Sequence, residues 1–205
     1  DLKINYQGEP KNKFICMICS DKKSNHKNEL YSERKKIIDY YEKNDLDIFQ
    51  FYGYGWDKYN LNKRYLNYIF KKTRMNSFFK TNYKNYKGVV KNKSKILNSY
   101  KFSFCLENAM NYDGYITEKI FDCFTSLTIP VYKGPSNVLR FIPKECFINY
   151  DDFESLGDLE DYLKSLTEIE IKDYQNSIKI FLNSKESDYF SNNHFVKTIM
   201  NGLCI

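Results

Sequence analysis

The polar residues best suited to chemistry in this sequence cluster in one loop near its middle. They are Glu107, Asn108, Tyr115, Glu118 and Lys119. The apolar run FSFCLE, which ends in the first of them, predicts a buried strand, and Thr117 is a predicted N-cap for a helix over TEKIFDCFTSL. Because backbone N–H groups and the helix dipole attract anions at such a helix start, the loop predicts a site for a phosphate-bearing ligand.

Glu118 and Lys119 fall in the first turn of that helix, and their residue types suit a nucleotide sugar. A lysine there can contact a pyrophosphate, and a neighbouring carboxylate can accept hydrogen bonds from ribose or sugar hydroxyls. The structural alternative is that Glu118 compensates the helix dipole while Lys119 is solvated. Position alone leaves the two readings open.

Arg34 is a second candidate cation, near the start of an early predicted helix over residues 31–43. Two cations that converge from different loops suit a diphosphate leaving group. The alternative is a surface arginine paired with Glu33 or Asp39.

The elements that must position these residues alternate along the chain. Apolar runs bounded by polar loops predict strands, and longer periodic stretches predict helices. The predicted strands are 13–19, 45–51, 102–107, 128–132 and 146–150, and the helices beyond those above are 64–72, 158–166, 171–183 and 189–203. This alternation predicts a Rossmann-like α/β fold with an open, mainly parallel sheet. We expect a linker over 1–12, one ligand-binding domain over 13–187 and a C-terminal helix over 188–205.

Composition narrows the classes of protein. The chain has 205 residues, 32 of them basic, and a net charge of +6, which suits an anionic ligand or solubility alone. It has no apolar run as long as a membrane span and no visible signal peptide, and it begins at Asp1 rather than Met, so we expect a fragment or a trimmed form.

The cysteines and the carboxylates argue against a metal site. Most of the six cysteines lie in apolar runs and are predicted to be small buried side chains, and free thiols favour a reducing compartment. Cys16 and Cys19 have a zinc-like spacing but no second pair near them in the sequence. There is no Asp-x-Asp motif, and Asp151 and Asp152 are interpreted as a loop and helix cap. Protein cations would therefore neutralise a nucleotide diphosphate.

A nucleic-acid interface is the weaker alternative. Lysines alternate with tyrosines over residues 71–95, a pattern that can stack and neutralise single strands. A solvated loop with a lysine-rich composition explains the same pattern, and we favour that interpretation and expect no nucleic-acid partner.

One long stretch resembles a known family. YKFSFCLENAMNYDGYITEKIFDCFTSLTIPVYKGPSNVLRFIPKECFINYDDF is similar to the donor-binding signature of the α-1,3-fucosyltransferases, glycosyltransferase family 10. The ordered pieces are Glu-Asn after an aromatic strand, Tyr-x-Thr-Glu-Lys, Gly-Pro, Phe-Ile-Pro and Asp-Asp-Phe. CSDKKSNHKNELYSERKKIIDYYEK, FYGYGW and YKGVVKNKSKIL extend the resemblance upstream.

The resemblance implies the C-terminal donor lobe of a GT-B enzyme that transfers fucose from GDP-fucose, with inversion, to GlcNAc-containing acceptors such as N-acetyllactosamine. It implies that Arg34 and Lys119 hold the diphosphate and steady the leaving group, with Glu118 as a third catalytic-site residue that contacts ribose or fucose hydroxyls. Asn108 and Tyr115 would line the nucleotide pocket. No cofactor is expected, and a divalent metal would at most stimulate.

The resemblance also implies a catalytic base in an N-terminal acceptor lobe. Before the first predicted strand the only carboxylates are Asp1 and Glu9, and neither has the features of a base. We expect the acceptor lobe to be missing from this chain, with any membrane association made through absent segments. A non-catalytic sugar-nucleotide or glycan-binding module stays open as the alternative. Location would be cytoplasmic or membrane-peripheral in a bacterium or virus, and the Golgi membrane in a eukaryote.

Overall fold

The structure, a computed structural model, describes residues 2–6, 8, 10–44, 47–57 and 83–202. Its strands are β1 (Lys13–Ile18), β2 (Phe49–Tyr52), β3 (Tyr100–Leu106), β4 (Ile129–Lys133) and β5 (Ile148–Asn149). They form one parallel sheet in the order β2-β1-β3-β4-β5. The predicted Rossmann-like open parallel sheet is confirmed.

Helices connect the strands and cover both faces of the sheet. They are α1 (Tyr31–Asn44), α2 (Lys93–Leu97), α3 (Glu118–Thr125), α4 (Leu156–Ser165), α5 (Glu168–Leu182) and α6 (Asn192–Gly202). Short 3-10 turns lie at Val138–Arg140, Lys144–Cys146, Tyr150–Asp152 and Glu186–Phe190. The last predicted helix, 189–203, is in fact such a turn followed by α6.

Two apolar layers sandwich the sheet because its strands are buried on both sides. In one layer Phe102 and Phe104 of β3 pack with α1 and α4. In the other, Tyr100 and Cys105 of the same strand pack with α2, α3 and α5. Residues of one strand thus contribute to both layers, which is why the strands read as nearly continuous apolar runs.

The prediction of buried thiols in the apolar runs is confirmed for Cys16, Cys105 and Cys146, which are buried and free. It is wrong for Cys19, which is only partly buried, and Cys123, for which no such prediction was made, is buried as well. Within the described ranges no three His, Cys, Asp or Glu side chains are grouped to hold a metal ion. No helix of those ranges has the length and apolar character needed to cross a membrane.

The interpretation of Asp151 and Asp152 as a helix cap is wrong. Asp151 pairs with Lys133, and Asp152 Oδ1 accepts a hydrogen bond from the side-chain amide of Asn149, Nδ2, at 2.5 Å. Helix α4 is capped instead by Ser155, whose hydroxyl accepts from the Asp158 amide at 3.1 Å. The 3-10 turn keeps the two aspartates beside the end of β5, one turn too early to cap α4.

Several predictions lie outside the described residues. These are the helix over 64–72, the first part of the lysine- and tyrosine-rich stretch (71–82), and Asp1, Glu9 and Cys204. The predicted domain boundaries at 13 and 187 stay predictions.

Candidate functional site

A cleft of about 370 Å³ opens where the order of the strands reverses, between the carboxyl ends of β1 and β3. Ligands of open α/β sheets bind at this position because the connections leave the sheet in opposite directions there. The residues that line the cleft come from the ends of three strands, from α1, from α2 and the segment before it, and from α3. They include Ser20, Lys22, Arg34, Gly53, Tyr54, Val89, Val90, Lys93, Asn108, Glu118, Lys119 and Asp122.

Two loops that are far apart in sequence are joined above the cleft. The amide of Leu30 donates to the carbonyl of Asn108 at 3.0 Å, and the amide of Met110 donates to that of Asn28 at 2.9 Å. Glu29 and Ala109 form an antiparallel bridge between these bonds. The loop after β1 and the loop after β3 therefore form one unit.

Arg34 connects α1 to this unit through hydrogen bonds. Its side chain is 5% exposed, and Nη2 donates to the carbonyls of Leu106 and Glu107 at 2.8 Å and to Asn108 Oδ1 at 3.1 Å. The alternative of a surface arginine is wrong, because α1 turns this residue toward the end of β3. Its proposed partners Glu33 and Asp39 pair with Lys36 and Lys35 instead.

Glu107 is the buried centre of the site. Its side chain is fully buried and accepts four hydrogen bonds. The Thr117 amide and hydroxyl donate at 2.8 and 2.7 Å, Lys119 Nζ at 3.1 Å and the Tyr132 hydroxyl at 3.3 Å. A carboxylate can be kept in the interior only with such compensation.

Thr117 stands at the N-cap position of α3, as predicted, but its side chain does not cap the helix. The hydroxyl donates to Glu107 and accepts from Lys119 Nζ at 2.6 Å. The hydroxyl gives its hydrogen to the buried carboxylate, and its oxygen accepts from the lysine ammonium. Both are strong charge-assisted hydrogen bonds, so the hydroxyl does not serve as the N-cap acceptor. The first amides of α3 are left without a side-chain cap.

Lys119 and Glu118 occupy different environments although they are neighbours. Lys119 is 23% exposed and held by Glu107 and Thr117, so the alternative of a freely solvated lysine is wrong. Glu118 is 65% exposed and lies 4.0 Å from Lys93 Nζ and 3.9 Å from Lys119 Nζ. Partial burial opposes its ionisation, but the charge of Lys119, a hydrogen bond to its own backbone amide and the charge of Lys93 outweigh this and lower the pKa of Glu118.

Asn108 and Tyr115 form a second line of contacts. Asn108 lines the cleft, accepts from Arg34 and donates from Nδ2 to the Tyr115 hydroxyl at 3.3 Å. Tyr115 lies behind Asn108 and does not itself line the cleft. Of the five predicted site residues, the structure therefore brings four to the cleft wall and places the fifth against one of them.

The charge of the cleft suits an anion. Four of its lining side chains are basic (Lys22, Arg34, Lys93, Lys119) and two are acidic (Glu118, Asp122). A larger cavity of about 920 Å³ beside β5 and α5 has the opposite balance, with Lys144 against Glu145, Asp151, Asp152, Glu170 and Asp173. For a nucleotide diphosphate, charge favours the smaller cleft over the larger cavity.

Sequence reasoning missed three contributors to the cleft: Lys22, Lys93 and the central role of Glu107.

A further constraint comes from Gly53, which has φ +138° and lies so close to the end of β1 that an added Cβ would be 1.8 Å from the Cys19 carbonyl oxygen. Only glycine permits this approach. Burial raises the pKa of the nearby Cys19 thiol to about 12, so the thiol in the cleft wall is neutral.

Comparisons with known proteins agree with this geometry. The family model described as "Glycosyltransferase family 10 (fucosyltransferase) C-term" matches residues 8–177. The α-(1,3)-fucosyltransferase FucT of Helicobacter pylori is 44% identical over 77 residues, which are 38% of this chain and 16% of that protein. The human 4-galactosyl-N-acetylglucosaminide 3-α-L-fucosyltransferase FUT6 is 44% identical over 73 residues, or 34% of this chain and 20% of that protein.

Solved structures give the same result. An α1,3-fucosyltransferase crystallised with GDP-fucose is 25% identical with a TM-score of 0.50, over 86% of this chain and 40% of that one. The form with GDP gives 25% identity and a TM-score of 0.51 over 86% and 39%. S. aureus TarM, in a complex with UDP, shares the fold at 16% identity, with a TM-score of 0.57 over 97% and 37%. The chain thus spans well under half the length of these proteins.

Proposed function

Because the chain belongs to glycosyltransferase family 10, the fucosyltransferases, we propose that it is the GDP-fucose-binding lobe of an inverting fucosyltransferase. The proposed acceptor is a GlcNAc-containing glycan, and the proposed linkage is α-1,3. The names of the relatives support the acceptor class and the linkage. The neighbours with GDP-fucose and GDP support the donor.

One observation carries the proposal: a half-buried lysine, Lys119, lies at the uncapped start of α3 inside the cleft at the strand-order reversal. An ammonium has three N–H donors, and two of them are used by Glu107 and Thr117. The third is available to a diphosphate oxygen. Helix start and lysine together would hold the group that carries most of the donor's charge.

The other predicted residues take supporting roles. Arg34 adds positive charge beneath the same loop, and Asn108 offers its amide to the nucleotide. Glu118 is exposed, and its lowered pKa keeps it ionised at neutral pH, which suits acceptance of hydrogen bonds from ribose or fucose hydroxyls. Tyr115 would act on the nucleotide pocket through Asn108.

In the proposed reaction an acceptor hydroxyl attacks the anomeric carbon of fucose from the side opposite GDP. The bond between that carbon and the β-phosphate oxygen breaks, and negative charge develops on the leaving GDP. Lys119 and Arg34 stabilise that charge, which is the contribution this lobe makes to the rate. We propose that protein cations suffice for this and that a divalent metal is at most stimulatory.

A base must accept the proton of the attacking hydroxyl. We propose that it belongs to an acceptor lobe outside these 205 residues, which is in keeping with the 40% of the solved neighbour that the chain covers. Glu107 cannot serve, since it is fully buried and both its oxygens already accept hydrogen bonds.

Calorimetry with GDP, GDP-fucose and UDP tests the donor. We expect GDP and GDP-fucose to bind with similar affinity and UDP to bind at least about tenfold more weakly. Absence of GDP binding, or equal affinity for UDP, would overturn the proposal.

A transfer assay tests the division of labour between lobes. The 205-residue chain is mixed with GDP-fucose and N-acetyllactosamine, and fucosylated product is sought by mass spectrometry. We expect donor binding without transfer. Transfer by the chain alone would show that it contains its own base.

A further inference from the structure

Among the acidic residues that the structure describes, Glu107 is unusual because it is fully buried and yet contacts Lys119 in the cleft wall. Burying a carboxylate is costly, and a well-packed apolar side chain often stabilises a fold equally well. Its four donors come from Thr117, Lys119 and Tyr132, so it connects α3 and β4 to the end of β3. Of these three residues, Lys119 lines the cleft.

Thr117 shows what this carboxylate changes locally. Thr167 occupies the same N-cap position in α5 and does what a threonine normally does there: its hydroxyl accepts from the Glu170 amide at 3.3 Å in a complete capping box. Thr117 has an extended backbone at its own N-cap position but makes no cap. Its hydroxyl joins Glu107 to Lys119 instead.

Lys119 is consequently held by hydrogen bonds to both Glu107 and Thr117. Nζ lies 3.1 Å from Glu107 Oε2 and 2.6 Å from Thr117 Oγ1, and the two oxygens are themselves hydrogen-bonded at 2.7 Å. A lysine side chain otherwise has many rotamers to lose when it binds a ligand. Here the contacts with Glu107 and Thr117 already restrict the lysine side chain.

We propose that Glu107 is a positioning residue for the donor diphosphate, acting through Lys119. This positioning role rests on the proposed function, since that function assigns Lys119 to the diphosphate. Glu107 fixes the lysine, with Thr117 as the bridge, so that one N–H remains directed to the ligand. This arrangement gives preorganisation at the cost of placing a negative charge near the phosphates, and the positioning effect outweighs the repulsion.

The test compares two isosteric variants of buried glutamates. Glu107→Gln removes the charge that holds Lys119. Glu160→Gln is the matched control, because Glu160 is 8% exposed and pairs with Lys164 Nζ at 2.6 Å on α4, away from the cleft. Affinities for GDP and for guanosine, which lacks the phosphates, are measured by calorimetry on the 205-residue chain.

We expect Glu107→Gln to weaken GDP by about tenfold or more and to leave guanosine unchanged, the loss of one well-placed charged hydrogen bond. Glu160→Gln changes neither affinity. In the Lys119→Ala background, Glu107→Gln causes no further loss of GDP affinity, because its effect requires the lysine. Equal losses for GDP and guanosine, a continued loss without Lys119, or tighter GDP binding would overturn the proposal.

Thr117→Val keeps the test decisive if Glu107→Gln does not fold. It removes the bridging hydroxyl but leaves the carboxylate, and we expect GDP to weaken by about threefold to tenfold with guanosine unchanged. An unchanged GDP affinity would overturn the proposal. If the unaltered chain binds no GDP at all, the proposed function fails first, and that result is distinct from failure of the positioning role.

Discussion

Two lysines lie at opposite ends of the unit formed by β3, α3 and β4, and they are held in different ways. Lys119, at the carboxyl end, contacts one carboxylate and one hydroxyl. Lys11, at the amino end, contacts four oxygens, those of Leu97, Asn98, Ser126 and Thr128, at 2.9–3.3 Å. An ammonium has three donors, so Lys11 is saturated and Lys119 is not.

In the proposed function, the same residue type serves structure at one end of this unit and ligand binding at the other. Burial lowers the pKa of Lys11 to about 8, so it is still mostly protonated at neutral pH and can fasten the N-terminal segment to the starts of β3 and β4. Its partners are three backbone carbonyls and the Thr128 hydroxyl. At Lys119 the partners are side chains, and one donor stays open to the cleft.

Lys11→Met gives the largest expected effect and acts on stability alone. It removes the ammonium donor from the carbonyls of Asn98 and Ser126, so we expect the free energy of unfolding to fall by about 2–4 kcal/mol in urea denaturation. GDP affinity should not change. Lys95→Met, at an exposed position of α2, is the control and should cost less than about 0.5 kcal/mol. A Lys11→Met loss as small as the control's would mean that water serves these carbonyls.

Lys119→Ala should show the reverse pattern. Loss of a charged hydrogen bond to phosphate weakens GDP by about 10- to 100-fold, while guanosine binds as before. Calorimetry compares this variant directly with Lys11→Met, since Lys119→Ala should weaken GDP binding whereas Lys11→Met should lower stability and leave GDP binding unchanged. If both weaken GDP alike, the division between the two ends of the unit is wrong.

The burial of the apolar layer that contains Cys16 and Cys105 can be tested through the pH dependence of stability. Burial raises the pKa of the Cys16 and Cys105 thiols. Unfolded thiols lose their protons near pH 8.5 while the folded ones keep theirs, so their stabilisation is complete below that pH and falls above it by about 1.4 kcal/mol per pH unit for each thiol. Urea denaturation between pH 8 and 10 should give a shallower decline for Cys16→Ala than for the unaltered chain. Equal slopes would show that water reaches this layer.

Lys93→Met is the smallest expected effect and sharpens the definition of the cleft. Lys93 Nζ lies 2.7 Å from Asp122, and its side chain is 47% exposed. A charge that is already paired and solvated contributes little, so we expect GDP to weaken by less than about fivefold, and less at higher salt. A loss as large as that of Lys119→Ala would make Lys93 a principal phosphate ligand.

Local patterns were enough to predict most of the fold. Strands such as β1 and β3 were predicted to within two residues because both their faces are apolar. The predicted strand over 146–150 shrinks to Ile148–Asn149, since only two register pairs join it to β4 before the chain turns at Tyr150. Such an edge depends on the neighbouring strand and not on its own residues.

The site was predictable where it depends on helix position and not where it depends on burial. Glu118 and Lys119 follow from a helix start after a strand. The burial of Arg34 arises from packing against the end of β3, 72 residues further along the chain. That of Glu107 depends on Thr117, Lys119 and Tyr132, which lie 10 to 25 residues away, beyond the reach of a local pattern. At Thr117 the local rule predicted a cap, and a carboxylate supplied by the end of the preceding strand overrode it.

The bonds between Leu30 and Asn108 and between Arg34 and Glu107 have a consequence for the order of folding. Closing so long a segment has an entropic cost that only the finished sheet repays. We therefore expect the cleft to assemble late, after β1 and β3 have paired, so that a chain still emerging from the ribosome has no complete cleft until both strands have been synthesised. In the native protein the amides of Leu30 and Met110 should exchange with solvent together, as the two loops separate in one cooperative opening.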